Sequence, residues 1–183
     1  MRKVNLYIAA SLDGFIATKE GKVDWLLDPD QGDDQGRDYG YHQFYDSIDT
    51  TLMGYNTYRQ ILDFGVPFPY PDKKNYVFSR NHQKQEDLPV EFISSDIIEF
   101  TRKLKQDGGK DIWLIGGGQI NQVMLNADLI DLMTISLQPV ILGEGLALFG
   151  SRANFKRFTV VESKSYHGIM AQIIMERKND NPG

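Results

Sequence analysis

Apolar and polar positions alternate along this chain in short blocks, and the blocks change period several times. Val4 to Ala10 is a mostly apolar run of strand-forming residues that ends in the turn-prone Leu12-Asp13-Gly14, with a second short run at Phe15-Ile16-Ala17. Residues 28–40 are rich in Asp and Gly and read as a loop leading into a short helix near Tyr41 to Ser47. A strand at Thr50 to Met53 and a helix starting near Asn56 or Thr57 follow, and then a connection, Val66-Pro67-Phe68-Pro69-Tyr70-Pro71, whose prolines forbid regular structure. Strands are predicted at Tyr76 to Ser79 and Val90 to Ile93. A helix from about Asp96 to Gln106 carries a capping pair, Asp96 with Glu99, and ends at Gly108-Gly109. Asp111 to Ile115 is a further strand, running through Gly116-Gly117-Gly118 into a helix from Gln119 to about Asn126, with a long strand from Ile130 to Val140 beyond it.

Phe158 to Tyr166 and Ile169 to Arg177, joined at His167-Gly168, have the pattern of a β-hairpin. Strands alternating with helices and closing on a hairpin predict an α/β fold: a mainly parallel central sheet, helices on both faces and an antiparallel C-terminal hairpin. One domain over residues 1–177 is expected, with 178–183 as a frayed tail.

Composition narrows the function classes. With 183 residues, 41% hydrophobic and 25% charged, the chain can bury a core without staples. It has no cysteine, so a disulfide framework, a thiolate zinc site and a catalytic thiol all fall away. A formal net charge of −5 opposes broad attraction to nucleic acid or anionic membranes. The apolar run after Arg2 and Lys3 is short, contains Asn5 and leads into no cleavage site, so it reads as a strand and a cytoplasmic protein is expected.

Three strand ends carry chemistry. Met53-Gly54-Tyr55-Asn56-Thr57-Tyr58 puts a glycine after a strand and the Thr57 hydroxyl in the first turn of a helix, where it and nearby amides suit a phosphate or simply cap the helix. Val77-Phe78-Ser79-Arg80 releases a hydroxyl and a guanidinium together, a pair suited to a phosphate monoester, although an arginine there also fits a solvated surface. Gly116-Gly117-Gly118 fits either a tight turn or a backbone cradle for a phosphate at a helix start. Open α/β sheets bind ligands at the carboxyl ends of their strands, so the three together weigh more than each alone.

In this order and rough spacing, the motifs resemble the dihydrofolate reductase fold. The closer likeness is to the C-terminal reductase domain of bacterial bifunctional riboflavin-biosynthesis enzymes and to standalone proteins built on it. Ala9 to Ala17 (AASLDGFIA), Val23-Asp24-Trp25-Leu26, Asp38-Tyr39-Gly40 and Pro139 to Gly145 (PVILGEG) followed by Leu148-Phe149 carry the same likeness, which covers about residues 2–177.

The resemblance implies NADPH, with NADH left open, bound in a cleft across the sheet. Gly54 and Thr57 would hold the pyrophosphate, Ser79 and Arg80 the 2′-phosphate of the adenosine, and Gly116, Gly117 and Gly118 the pyrophosphate and nicotinamide side. Ala10 and Ile16 would meet the carboxamide through their backbones, Gln119 and Ile120 would extend the wall, and the first two glycines would share a cis peptide. Asp38 matches the acidic residue that anchors the pterin in folate reductases, where it would orient a nitrogen heterocycle and assist protonation; it equally fits a helix cap. Trp25 and Thr134 match substrate-side positions, each with a structural alternative. Asp13 is expected only to make the turn before Gly14.

Departures from folate reductases also matter. Tyr55 stands where a basic residue often grips the 2′-phosphate, leaving the NADPH preference to Arg80. Lys73 and Lys74 stand where an arginine takes the folate tail, and lysine lacks the bidentate fork that suits a carboxylate. No zinc deaminase is legible, so any deamination of a riboflavin precursor is expected elsewhere. The expectation is a homodimeric reductase passing hydride to a C=N or C=O carbon of a pterin-like or pyrimidine-ribose substrate. The alternative is a nucleotide-binding or assembly protein with a degenerate substrate pocket, and a true dihydrofolate reductase ranks below both.

Overall fold

The computed structural model describes residues 1–26, 38–80, 89–166 and 169–178. Eight strands form one sheet: β1 (Val4–Ser11), β3 (Ile48–Gly54), β4 (Lys74–Phe78), β5 (Val90–Ile93), β6 (Asp111–Gly116), β7 (Leu132–Gln138), β9 (Phe158–Tyr166) and β10 (Met170–Arg177). Their spatial order is β5-β4-β3-β6-β1-β7-β10-β9. The six from β5 to β7 run parallel, and β10 and β9 close the edge antiparallel. A small second sheet pairs β2 (Phe15–Ala17) with β8 (Leu146–Ala147).

Parallel strands need crossovers, and here these contain α1 (Tyr41–Ser47), α2 (Tyr55–Asp63), α3 (Ile97–Gln106) and α4 (Gly118–Asn126). Side-chain alternation along the strands sorts the helices by face. Leu6, Leu52, Phe78 and Leu114 pack in one cluster with Leu104 of α3 and Met124 and Leu125 of α4. Their strand neighbours Met53 and Val77 point the other way, into a cluster with Tyr58 and Ile61 of α2. On that same face Tyr7 of β1 stacks on Phe44 of α1, ring centroids 4.1 Å apart, and Phe44 meets Trp113 of β6 edge-on at 5.3 Å. Helices therefore cover both faces, α1 and α2 on one and α3 and α4 on the other.

The amino end of the sheet is sealed by ion pairs. Arg2, which is buried, bonds Asp49 and donates to Thr50 Oγ1 at 2.6 Å, while Asp49 accepts from the Lys110 backbone N–H at 2.9 Å. Asp131 joins Lys105 at 2.5 Å and Arg177 at 3.3 Å and takes the Val4 N–H at 2.8 Å, tying the starts of β1 and β7 to α3 and the end of β10.

Several boundaries differ from the sequence expectation. The strand expected at Tyr76–Ser79 runs Lys74–Phe78, displaced because register with β3 sets its ends, and the one expected over Ile130–Val140 is confined to Leu132–Gln138. The two-residue β8 and a 3-10 turn at Asp24–Leu26 were not foreseen, being too short to show a period. The turn at His167-Gly168, most of the 28–40 loop and residues 179–183 of the expected tail lie outside the described residues.

Candidate functional site

Strands β3 and β6 are neighbours, and each turns at its carboxyl end through a glycine straight into a helix. Gly54 caps α2 and Gly117 caps α4, both in extended conformation and neither with a side-chain capping bond. First-turn N–H groups of a helix have no intrahelical acceptor and carry the positive end of its dipole. Two such starts thus lie side by side, with the first helical bond of α4 running from Asn121 N–H to Gly117 O at 2.9 Å. By contrast, α3 is closed by its own sequence, Asp96 accepting the Glu99 N–H at 2.9 Å.

The close approach of the two turns explains the glycines. A Cβ on Gly54 would stand 3.0 Å from Ile120 Cγ1, and one on Gly117 would stand 3.3 Å from Thr57 Oγ1 and 3.9 Å from Ile16 Cδ1. Gly116 has φ +113°, shares a cis peptide with Gly117, and would meet Asn121 Oδ1 at 3.1 Å through a Cβ. The structure therefore brings Ile16, Gly54, Thr57, Gly116, Gly117 and Ile120 into one place. Gln119 is exposed on the first turn of α4, and buried Ala10 lies near the carboxyl end of β1, paired with Leu137. Phe78 pairs in register with Gly54, so Ser79 and exposed Arg80 leave the sheet next to the start of α2.

Gly118 has a different reason to be glycine. A Cβ there would lie 2.1 Å from Ala147 O, and its carbonyl accepts the Gly150 N–H at 3.1 Å, so its bare Cα is needed for packing against the segment around β8. The same segment holds the β1–β2 turn. Asp13, expected only to shape a turn, accepts the Gly143 N–H at 2.7 Å and the Leu142 N–H at 3.2 Å, and the Ser11 hydroxyl donates to it at 2.6 Å. The Ser11 bond foremost, then these amides, hold its carboxyl below the usual range. Asn121 Nδ2 donates to Leu148 O at 2.9 Å and completes the link from this turn to α4. Sequence reading missed the strap because its partners lie some 130 positions apart.

On the substrate side, the structure places each expected residue as follows. Asp38 stands just before α1: its oxygens accept from the N–H groups of Gly40 at 3.1 Å and His42 at 2.9 Å, and one meets His42 Nδ1 at 2.8 Å. The His42 N–H foremost holds its carboxyl down to about 2, so it is ionised at neutral pH. The helix-start role, left open by the sequence, is the one the structure displays. Thr134 is buried and hydrogen-bonds Asn5 Oδ1 at 3.3 Å, opposite Tyr7 and short of the carboxyl end of β7. Trp25 Nε1 is buried and without a hydrogen-bond partner among the described residues.

Polar groups on that face come from residues the sequence did not single out. Tyr7, Ser136 and Gln172 lie on neighbouring strands, and Tyr166 Oη donates to Tyr39 O at 3.2 Å, closing the hairpin end over the residue after Asp38. Ser136 and Gln172 sit inside runs that look like plain strand, and only the pairing of β7 with β10 makes them neighbours. Lys73 is committed to Asp72 at 3.0 Å and lies 3.9 Å over the Tyr45 ring.

No helix among the described residues is long and apolar enough to cross a membrane, and no group of three or more candidate metal ligands occurs among them.

Comparison with known proteins agrees with this architecture. The family model for the RibD C-terminal domain matches residues 70–170. Two Bacillus subtilis proteins of uncharacterised function are similar over nearly their whole length: YwjB, 38% identical over 90% of this chain and 92% of its own, and YyaP, 36% identical over 94% of each. A crystal structure from Shewanella sp. PV-4, of a protein named for riboflavin biosynthesis, superimposes with a TM-score of 0.85 at 31% identity, covering 96% of this chain and 99% of that one. The Thermotoga maritima diaminohydroxyphosphoribosylaminopyrimidine deaminase/5-amino-6-(5-phosphoribosylamino)uracil reductase shares the fold, with a TM-score of 0.71 at 19% identity, and this chain spans 57% of its length. The chain belongs to the RibD C-terminal domain family.

Proposed function

We propose that this protein is an NADPH-dependent reductase that passes hydride to a C=N or C=O carbon of a pyrimidine-ribose or pterin-like heterocycle. The observation that carries the reading is the pair of abutting, glycine-capped helix starts at the ends of β3 and β6, where a Cβ on either cap would fill the space between them. Amides of α2 and α4 would take the pyrophosphate, with Thr57 Oγ1 between them, and Ser79 and Arg80 would take the 2′-phosphate. Ile16 and Ile120 would wall the nicotinamide side and exclude water. When bound, the nicotinamide supplies the hydride, and the protein contributes orientation. The 5-amino-6-(5-phosphoribosylamino)uracil reductase activity in the name of the Thermotoga maritima neighbour makes that compound the first substrate to try. Folate fits less well, since Lys73 is already paired with Asp72.

A homodimer in the cytoplasm is part of the same proposal. The outermost strand β9 leaves Val160 and Val161 exposed at 58% and 54% on its two faces.

Titration with NADPH and NADH, followed by nicotinamide fluorescence in the wild type and an Arg80→Ala variant, tests the cofactor. Saturable NADPH binding that weakens about tenfold in the variant, with NADH little changed, is the expected result; about 1.4 kcal/mol corresponds to that factor. Binding of neither nucleotide would remove the reading.

A further inference from the structure

Three strands meet on the α1 face of the sheet with polar side chains in one row. Ser136 of β7 stands opposite Ala9 of β1 and Gln172 of β10, and Tyr7 lies one alternation below Ala9. Gln172 is 4% exposed and Ser136 7%, deep for polar groups. Gln172 Nε2 donates to Tyr7 Oη and to Ser136 Oγ, both at 3.3 Å. An amide nitrogen has two N–H groups, and both are used. A hydroxyl that accepts one of them still has its own proton to give.

Tyr7 is the member fitted to give it. Its ring is clamped between stacked Phe44 and edge-on Trp113, and the Trp113 indole N–H donates to the Tyr7 carbonyl at 3.0 Å, so the hydroxyl is held in one direction. No described residue accepts its proton. Burial foremost pushes the phenol up, and the nearby Tyr166 and Asp38 add to this, so it stays protonated through the physiological range. Ala9 leaves only a methyl group on this face between Tyr7 and the glycine turns at the carboxyl end. Asp38, the carboxylate expected to anchor substrate there, accepts from Gly40 and His42, so Tyr7 is the neutral hydroxyl donor on this side.

We propose that Tyr7, positioned by Gln172, donates the hydrogen bond that orients a ring carbonyl oxygen of the substrate. The proposal rests on the reductase reading for the kind of ligand. It selects a neutral ring with a carbonyl acceptor, as in a pyrimidinedione, because an exocyclic amine at that point would face a donor and leave it unpaired.

Calorimetric binding of 5-amino-6-(5-phosphoribosylamino)uracil, with NADPH affinity and thermal midpoint measured in parallel, tests it in the wild type, Tyr7→Phe and Gln172→Met. Tyr7→Phe keeps the stacked ring, and about tenfold weaker uracil binding with unchanged NADPH affinity is expected. Gln172→Met, which frees the hydroxyl to turn, is expected to give a smaller loss in the same direction. Undiminished uracil binding in Tyr7→Phe, an equal loss of NADPH affinity, or a wild type that binds no uracil would each overturn the assignment. A wild type that binds the uracil but not NADPH would overturn the reductase reading and leave the Tyr7 comparison decisive for its own claim.

Discussion

The two ends of the central sheet are built on opposite principles. At the amino end, the charges of Arg2, Lys105 and Arg177 are met by Asp49 or Asp131, and even backbone N–H groups find carboxylates, as Val4 does at 2.8 Å. At the carboxyl end, α2 and α4 begin on bare glycine with no side-chain cap, and their first turns crowd together. A capping side chain in place of either glycine would stabilise its helix by about a few tenths of a kcal/mol. Both caps lie on adjacent strands, at the place proposed above for the cofactor's pyrophosphate. One end is tied together by ion pairs, and the other is where the proposed reading puts the phosphates of the cofactor.

The largest effect expected from breaking this contrast is at the sealed end. Asp131→Ala strands Lys105 and the Val4 N–H and leaves Arg177 only Asp128 at 3.7 Å, and losing one partner of a buried pair costs about 3–5 kcal/mol. A fall of about 10 °C in thermal midpoint is expected, with NADPH affinity of the folded protein unchanged. Gly117→Ala is the reciprocal experiment. Its backbone, φ −77°, accepts an alanine, but the methyl group enters the cradle 3.3 Å from Thr57 Oγ1. Fluorescence titration is expected to show NADPH binding weakened at least about tenfold, with a thermal midpoint close to that of the wild type.

Removing the cap of the ordinary helix sharpens the point. Asp96→Ala is expected to cost about 1 kcal/mol in denaturant unfolding and to leave nucleotide binding alone.

The smallest effect is in acid. Burial pushes the Asp49 carboxyl up, but Thr50, the Lys110 N–H and Arg2 outweigh it and leave it below its ordinary value of 3.8. A carboxyl lowered on folding adds stability above its unfolded value and loses it as pH falls through the folded value. The stability contribution of Asp49 is therefore complete at neutral pH and disappears below pH 3.8, and Asp49→Asn should flatten that part of the unfolding profile.

Most of the open end was legible in the sequence, because each part of it is local. Met53-Gly54 and Ile115-Gly116-Gly117 are strand-to-glycine-to-helix signals that need no distant partner, and both occur where expected. The Asp96–Glu99 cap was visible for the same reason. The packing reason for Gly118 was not legible, because the pressure on its Cα comes from Ala147, which no local pattern connects to it. On the substrate side Thr134 drew attention by its place on a long strand, whereas the polar row needed the β7–β10 register to put Gln172 beside Ser136. Asp38 was assigned by likeness to a family position with a helix-start role left open, and its nearest donors are its own neighbours, Gly40 and His42.

Backbone amide NMR during NADPH addition tests the contrast between the two ends most directly. The account predicts the largest shifts at the N–H groups of Asn56, Thr57, Gly118 and Gln119, with Val4, Lys105 and Asp131 unmoved. Shifts absent from the starts of α2 and α4, or centred on the ion-paired end, would contradict it.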